Sequence, residues 1–235
     1  TQVNRKIVRG KGEMVNSPLG HAIIVTGEDL YLHMMLVDNL MHADLHPGNI
    51  LIQKKDVLGV ESHNVRIVLV DAGMVARLSR REQDHFVGLL QAMGEGSGRE
   101  AARHVMRFSE EGESQYSQSR IRDFEDAMET YFAKHCRGYG KGIDLGVVLR
   151  GVLALVRDHQ ISIEANYATL VMNALCLDGL ASQLVPGYRV LDAAKPLLQY
   201  HRVTHRLMGR KWGALVFRKT LPLVRLLKNK QDQSF

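Results

Sequence analysis

Met41-His-Ala-Asp-Leu-His-Pro-Gly-Asn-Ile-Leu51 and, after a polar interval, Val68-Leu-Val-Asp-Ala-Gly-Met74 carry most of the chemistry in this 235-residue chain. Asp44 and Asn49 stand five apart on a segment that Pro47 and Gly48 keep out of a helix. Asp71 closes a buried-type strand, Ile67-Val-Leu-Val70, and Gly73 lets the chain turn sharply behind it. Three short oxygen ligands, two on one loop and one at a nearby strand end, match what Mg2+ needs when phosphates and water supply the rest. In phosphoryl transfer the protein's work is mostly positioning and charge neutralisation. One Asp orients the nucleophile, while an Asn and a second Asp hold metal.

Working outward, residues 1–27 read as irregular, with Gly10, Gly12, Pro18, Gly20 and Gly27 as breakers. Thr26 with Asp29 resembles a capping box, and Leu30, Met34, Val37 and Met41 follow at helical spacing, so a helix is expected over about 28–40. Ile50–Gln53 and Val65–Val70 read as a hairpin around the polar stretch Lys54–Asn64. Beyond Gly73 the pattern is helical, over about 80–93, 98–109, 118–136, 144–159, 163–183, 191–208 and 210–228. Ser79 with Glu82 and Ser97 with Glu100 are capping boxes, and Asp144 is a natural N-cap. Gly94–Gly98 follows a helix and lacks the Gly-Lys-Ser/Thr ending of a phosphate loop, so it reads as an interhelical turn; Gly138–Gly142 has the same weakness. The expected fold is mainly α with a small β-hairpin.

Composition agrees with a globular chain: 45% hydrophobic, 24% charged. No window approaches 18 uninterrupted apolar residues. Cys136 and Cys176 form no CxxC, which points away from a disulfide scaffold or a cysteine zinc site and toward a reducing compartment. The net charge of +6 is local. Residues 201–230 hold nine Lys/Arg and no Asp or Glu, leaving the rest at −3. Val203, Leu207, Trp212, Leu215 and Val216 run beside that basic face, which suits docking on the bundle or an anionic lipid surface. No aromatic stacking platform accompanies the charge, so nucleic acid is not an expected partner. The chain starts without methionine and has four basic residues in its first twelve, but lacks the Ser-rich amphipathic character of a transit peptide.

Asp44, Asn49 and then Asp71-Ala-Gly73 after a hairpin follow the order of a kinase's catalytic-loop Asp, its Asn five later, and its Asp-x-Gly. With their neighbours they resemble the aarF-domain (UbiB/ADCK) atypical kinases, and in particular mitochondrial members of that group. Leu177-Asp-Gly-Leu-Ala-Ser-Gln-Leu-Val-Pro186, followed by Ala194-Lys-Pro196, resembles the family's later helices. The resemblance implies a kinase-like large lobe over about 28–200, with a basic extension over 201–235. It implies Asp44 as catalytic base, Asn49 and Asp71 as metal and cofactor ligands, and His42 with Gly73 as a structural brace for the Asp71 turn. ATP and Mg2+ are the implied cofactors. Mitochondrial location, coenzyme Q biosynthesis and coenzyme Q-pathway proteins as partners are implied in the same way.

Three departures qualify what is carried over. Ala72 replaces the usual Phe of Asp-Phe-Gly, so that residue's packing switch is lost. His46 stands where many protein kinases place a lysine, which favours ATPase or small-molecule chemistry over protein phosphorylation. Upstream of residue 28 there is no strand lysine, nucleotide loop or Lys-x-Gly-Gln signature, so the chain reads as a large lobe with the small lobe missing, inactive alone. Two alternatives follow: a catalytically incompetent interaction module, and a small-molecule kinase like the aminoglycoside phosphotransferases, whose catalytic loop is very similar. His42-x-Asp-x-His46 also permits a zinc-hydrolase reading, but no second ligand cluster supports it.

Overall fold

Ser17 begins the first helix, α1 (Pro18–His33): its hydroxyl accepts from the Gly20 amide at 3.0 Å, and Pro18 occupies the first turn. Proline there loses nothing, because that N–H has no intrahelical partner in any case. The expected start near residue 28 is therefore corrected by ten residues. Pro18 and Gly20 belong to the helix rather than break it. Gly20 is required by proximity, since a Cβ would stand 2.3 Å from the Met14 carbonyl oxygen. Thr26 caps nothing; it lies inside α1, where its hydroxyl donates to the Ala22 carbonyl at 2.7 Å. The computed structural model describes residues 14–54, 65–108 and 112–204, with the isolated positions 207, 216 and 220. Residues 1–13, the loop 55–64 and almost all of the basic segment 205–235 lie outside the described residues, as does the helix expected over 210–228 apart from two positions.

After α1 the chain widens into a π-helical turn, Met34–Asp38, and leaves it through Asn39 at a left-handed φ of 51°. The buried Gln83 side chain satisfies one carbonyl there, its Nε2 donating to Met35 at 2.7 Å. Four short strands follow: β1 (Leu40–His42), β2 (Ile50–Lys54), β3 (Val65–Leu69) and β4 (Val75–Arg77). The expected hairpin is the antiparallel pair β2–β3, with Ile50 opposite Leu69. The pair β1–β4 was not expected: at three residues each the strands are too short for alternation to declare them, and they are joined across the sequence, Leu40 opposite Arg77 and His42 opposite Val75.

Six further helices follow among the described residues. α2 (Arg80–Glu95), α3 (Gly98–Met106), α4 (Gln118–His135), α5 (Leu145–Asp158) and α6 (Ala165–Leu184) lie within a few residues of their expected spans, and a seventh, α7, covers 190–204. Gly96, at φ 73°, makes the turn between α2 and α3. Each helix from α2 to α6 packs on the next, and α6 returns to α1. The buried stripe of α4, Phe124, Met128 and Phe132, shows why: apolar residues four apart present one face to the core. α6 has little such asymmetry, being surrounded by α1, α2, α5 and β4. Among the described residues no helix is long and apolar enough to cross a membrane.

Two polar contacts inside this bundle respond to pH. At the start of α2 the capping box is reciprocal: the Glu82 amide donates to the Ser79 hydroxyl at 3.2 Å and the Ser79 amide donates to the Glu82 carboxylate at 2.5 Å. Asn166 of α6 adds a bond to that carboxylate at 2.7 Å. Burial alone would raise the Glu82 pKa, but these bonds from Ser79 and Asn166 outweigh it and hold the carboxyl below its ordinary value. His104 of α3 meets His85 of α2 with their Nδ1 atoms 3.5 Å apart. Burial lowers the His104 pKa, Arg107 adds to the lowering, and Glu100 and Asp84 oppose it.

Both groups weaken the fold in acid. The unfolded His104 takes up a proton before the folded one, so stability falls as pH drops through about 6.5 toward the folded value. The Glu82 contribution is present above its unfolded pKa and is lost as pH falls through its depressed folded value. Thermal melts at stepped pH should show Tm declining on acidification, with His104→Gln flattening the upper part of the decline. Ser79→Ala should cost about 1 kcal/mol and lower Tm by roughly 2–4 °C.

Candidate functional site

The two sheets bring two loops face to face. Residues 43–49 leave β1 beside Val75 and enter β2 beside Leu69; residues 70–74 leave β3 from Leu69 and enter β4 at Val75. Each loop is therefore anchored at both ends to strands that are paired with the strands anchoring the other. Backbone bonds close the gap: the Val70 amide donates to the Asn49 carbonyl at 3.0 Å and the Ala43 amide to the Met74 carbonyl at 3.0 Å.

His42 joins the loops through its ring. Its Nδ1 accepts from the Asp44 amide at 3.2 Å, which leaves the proton on Nε2, and Nε2 donates to the Val70 carbonyl at 3.0 Å. The residue is buried. One imidazole thus holds the backbone of Asp44 and the peptide preceding Asp71. Because both nitrogens are engaged within the protein, neither is left for zinc, and His46 has its Nδ1 occupied by the Gly48 amide at 3.0 Å.

Asn49 is buried, at the end of a 3-10 turn, Pro47–Asn49. Its Nδ2 donates to the Asp44 carbonyl at 3.0 Å and approaches Asp44 Oδ2 at 3.4 Å. The five-residue spacing closes a ring that Pro47 and Gly48 stiffen. The Asp44 side chain is about half exposed, with Oδ2 3.6 Å from His46 Nε2. Asp71 sits at a left-handed φ of 58°, a conformation that Asp and Asn tolerate better than other side chains, and its carboxylate is exposed. Gly73 lies beneath it, close enough that a Cβ would come within 3.5 Å of Asp71 Oδ1. Ala72 and Met74 are exposed. The structure brings Asp44 and Asn49 into direct contact and joins Asp71 to them through the backbone of Val70.

One participant was not legible in the sequence. Asn173, in the middle of α6, is buried, and its Nδ2 donates to the His42 carbonyl at 2.7 Å. An amide among Val171, Met172, Ala174 and Leu175 was the available signal, since a buried amide needs a partner. Nothing in the sequence named the partner. The two thiols stand outside the site: Cys136 is buried, donates to the Met93 carbonyl at 3.1 Å, and is pushed by burial up to about 12.

Comparison with known proteins shows what these loops are similar to. Residues 18–105 match the sequence model of the ABC1 atypical kinase-like domain. The chain is 26% identical over 231 residues to a probable serine/threonine-protein kinase of Dictyostelium discoideum, covering 73% of this chain and 33% of that protein. It is 26% identical over 218 residues to a mitochondrial ABC1 family protein of Schizosaccharomyces pombe, covering 78% and 31%. A probable protein kinase UbiB of Pseudomonas entomophila is 26% identical over 176 residues, covering 74% and 30%. The chain spans about a third of the length of these relatives. No solved structure matches it. The mainly helical fold with its two small sheets fits part of a kinase-like fold, and the matched residues run from the first turn of α1 through both loops into α3. With its paired loops, the chain is similar over residues 18–105 to the ABC1 atypical kinase-like domain, and over about three quarters of its length to these relatives.

Proposed function

We propose that the paired loops are the phosphoryl-transfer end of an atypical kinase or ATPase that acts on the γ-phosphate of ATP. The observation that carries this reading is the His42 bridge, which ties the Asp44–Asn49 loop to the Asp71 turn. The donor set suits Mg2+. Among the described residues no group of three or more His, Cys, Asp or Glu could hold a metal by itself. A pair of protein oxygens completed by phosphates and water is the arrangement that Mg2+ takes in nucleotide sites. Asn49 spends its amide nitrogen on Asp44, which leaves its amide oxygen to serve as a ligand beside the exposed Asp71 carboxylate. When bound, the cation would neutralise charge on the phosphates.

The chain's own groups divide the remaining work. Asp44 accepts the proton of the attacking oxygen as general base, held in place by the hydrogen bond its backbone N–H donates to His42 Nδ1 and by Asn49. His46 sits beside Asp44 with its Nε2 proton toward the carboxylate, in place of a permanently charged lysine. That weaker charge favours water or a small molecule as acceptor over a protein hydroxyl. A link to coenzyme Q metabolism and a mitochondrial location are part of the same proposal, supported by fungal relatives named as mitochondrial ABC1 proteins. The basic stretch 201–230 is proposed to meet anionic lipid at a membrane surface.

Differential scanning fluorimetry with Mg-ATP tests the site. A rise of a few degrees in Tm is expected, and Asp71→Asn, which keeps the left-handed turn but removes the charge, should abolish it; no rise in the unsubstituted chain would favour a non-catalytic interaction module. Asp44→Asn should retain the shift while lowering ATP turnover by about 10²–10⁴-fold. For the lipid contact, sedimentation with cardiolipin vesicles should decrease with salt and on neutralising Arg206, Arg210 and Lys211; unchanged sedimentation would sink that part.

A further inference from the structure

We infer that Asn173 is a positioning residue for the phosphoryl-transfer site, acting through the backbone of His42; this rests on the function proposed above. In the β1–β4 pair the Leu78 amide donates to the Asn39 carbonyl and the Ala43 amide to the Met74 carbonyl, so the residues facing across the ladder are the odd-numbered ones of β1. The His42 carbonyl therefore points away from β4 and has no partner within the sheet. Asn173 Nδ2 reaches it at 2.7 Å from the middle of α6, and both residues are buried.

The consequence extends to both loops. The orientation of the His42 ring depends on where its backbone is held, and that ring contacts the Asp44 amide and the Val70 carbonyl. Asn173 thus fixes, from a helix 131 residues later, the group that sets the distance between Asp44 and Asp71. Tyr31 provides a natural contrast, since its hydroxyl also bonds to α6, donating to the Leu170 carbonyl at 3.2 Å, and touches neither loop.

The test compares Asn173→Leu, which removes the donor at similar volume, and Asn173→Asp, which keeps the shape but replaces the donor with an acceptor, against Tyr31→Phe. Two readouts are needed in the whole chain: the His42 ring signals in 15N–1H spectra, and Mn2+ affinity by electron paramagnetic resonance with ATP present. Both Asn173 variants should shift the His42 ring signals and weaken Mn2+ binding by about tenfold or more. Tyr31→Phe should lower Tm while changing neither. If Asn173→Leu does not fold, Asn173→Asp decides. His42 signals and Mn2+ affinity that stay at their original values in a folded Asn173 variant would overturn the inference. Should the unsubstituted chain bind no Mn2+, the phosphoryl-transfer reading fails, and the His42 spectra alone still show whether Asn173 holds the ring.

Discussion

A neutral imidazole at residue 42 is the contact on which the site depends. It accepts from one loop and donates to the other, so it is satisfied only when both loops are in place and only in one tautomer. Everything around it narrows the same freedom. The two sheets set the separation of the loop ends, Asn49 closes the first loop on Asp44, and Asn173 holds the His42 backbone from α6. Helix packing supplies the rigidity that these polar contacts could not supply alone, since a single hydrogen bond contributes only about 0.5–1.5 kcal/mol.

The division between the buried and exposed parts of the site follows from charge. His42, Asn49 and Asn173 are buried and neutral, so their desolvation is offset by hydrogen bonds. Asp44 and Asp71, which would be costly to bury unpaired, have their side chains toward solvent. The buried part is thus made of amides and an imidazole, and the exposed part of carboxylates on short loops. Ala72 belongs to this pattern: the exposed turn carries no aromatic side chain to pack.

Local chemistry was the most legible part of the sequence. Asp44, Asn49, Pro47, Gly48, Asp71 and Gly73 are close together and each residue type has a narrow reason for its place, so spacing alone grouped them. The helices from α2 to α6 were legible for a related reason, since Ser79, Ser97 and Asp144 mark starts and apolar residues recur every three to four positions. The failures share another cause. The pattern starts α1 ten residues late because Pro18 and Gly20 look like breakers in sequence, whereas one is a first-turn proline and the other is set by contact with Met14. The β1–β4 pair and the Asn173 bond are partnerships across distant sequence, and neither partner carries a mark of the other.

That distance has a bearing on the order in which the molecule is made. The loop bearing Asp44 and Asn49 is short and leaves the ribosome after α1 and well before α6. The amide that holds its backbone is 131 residues further along, and the Asn16 amide, just ahead of α1, bonds to the Leu184 carbonyl at the far end of α6. Contacts of such long range form late, because the intervening chain must first be ordered. Until α6 emerges the nascent chain therefore carries Asp44 and Asp71 on unsecured loops, and the arrival of α6 supplies the amide that holds the His42 backbone.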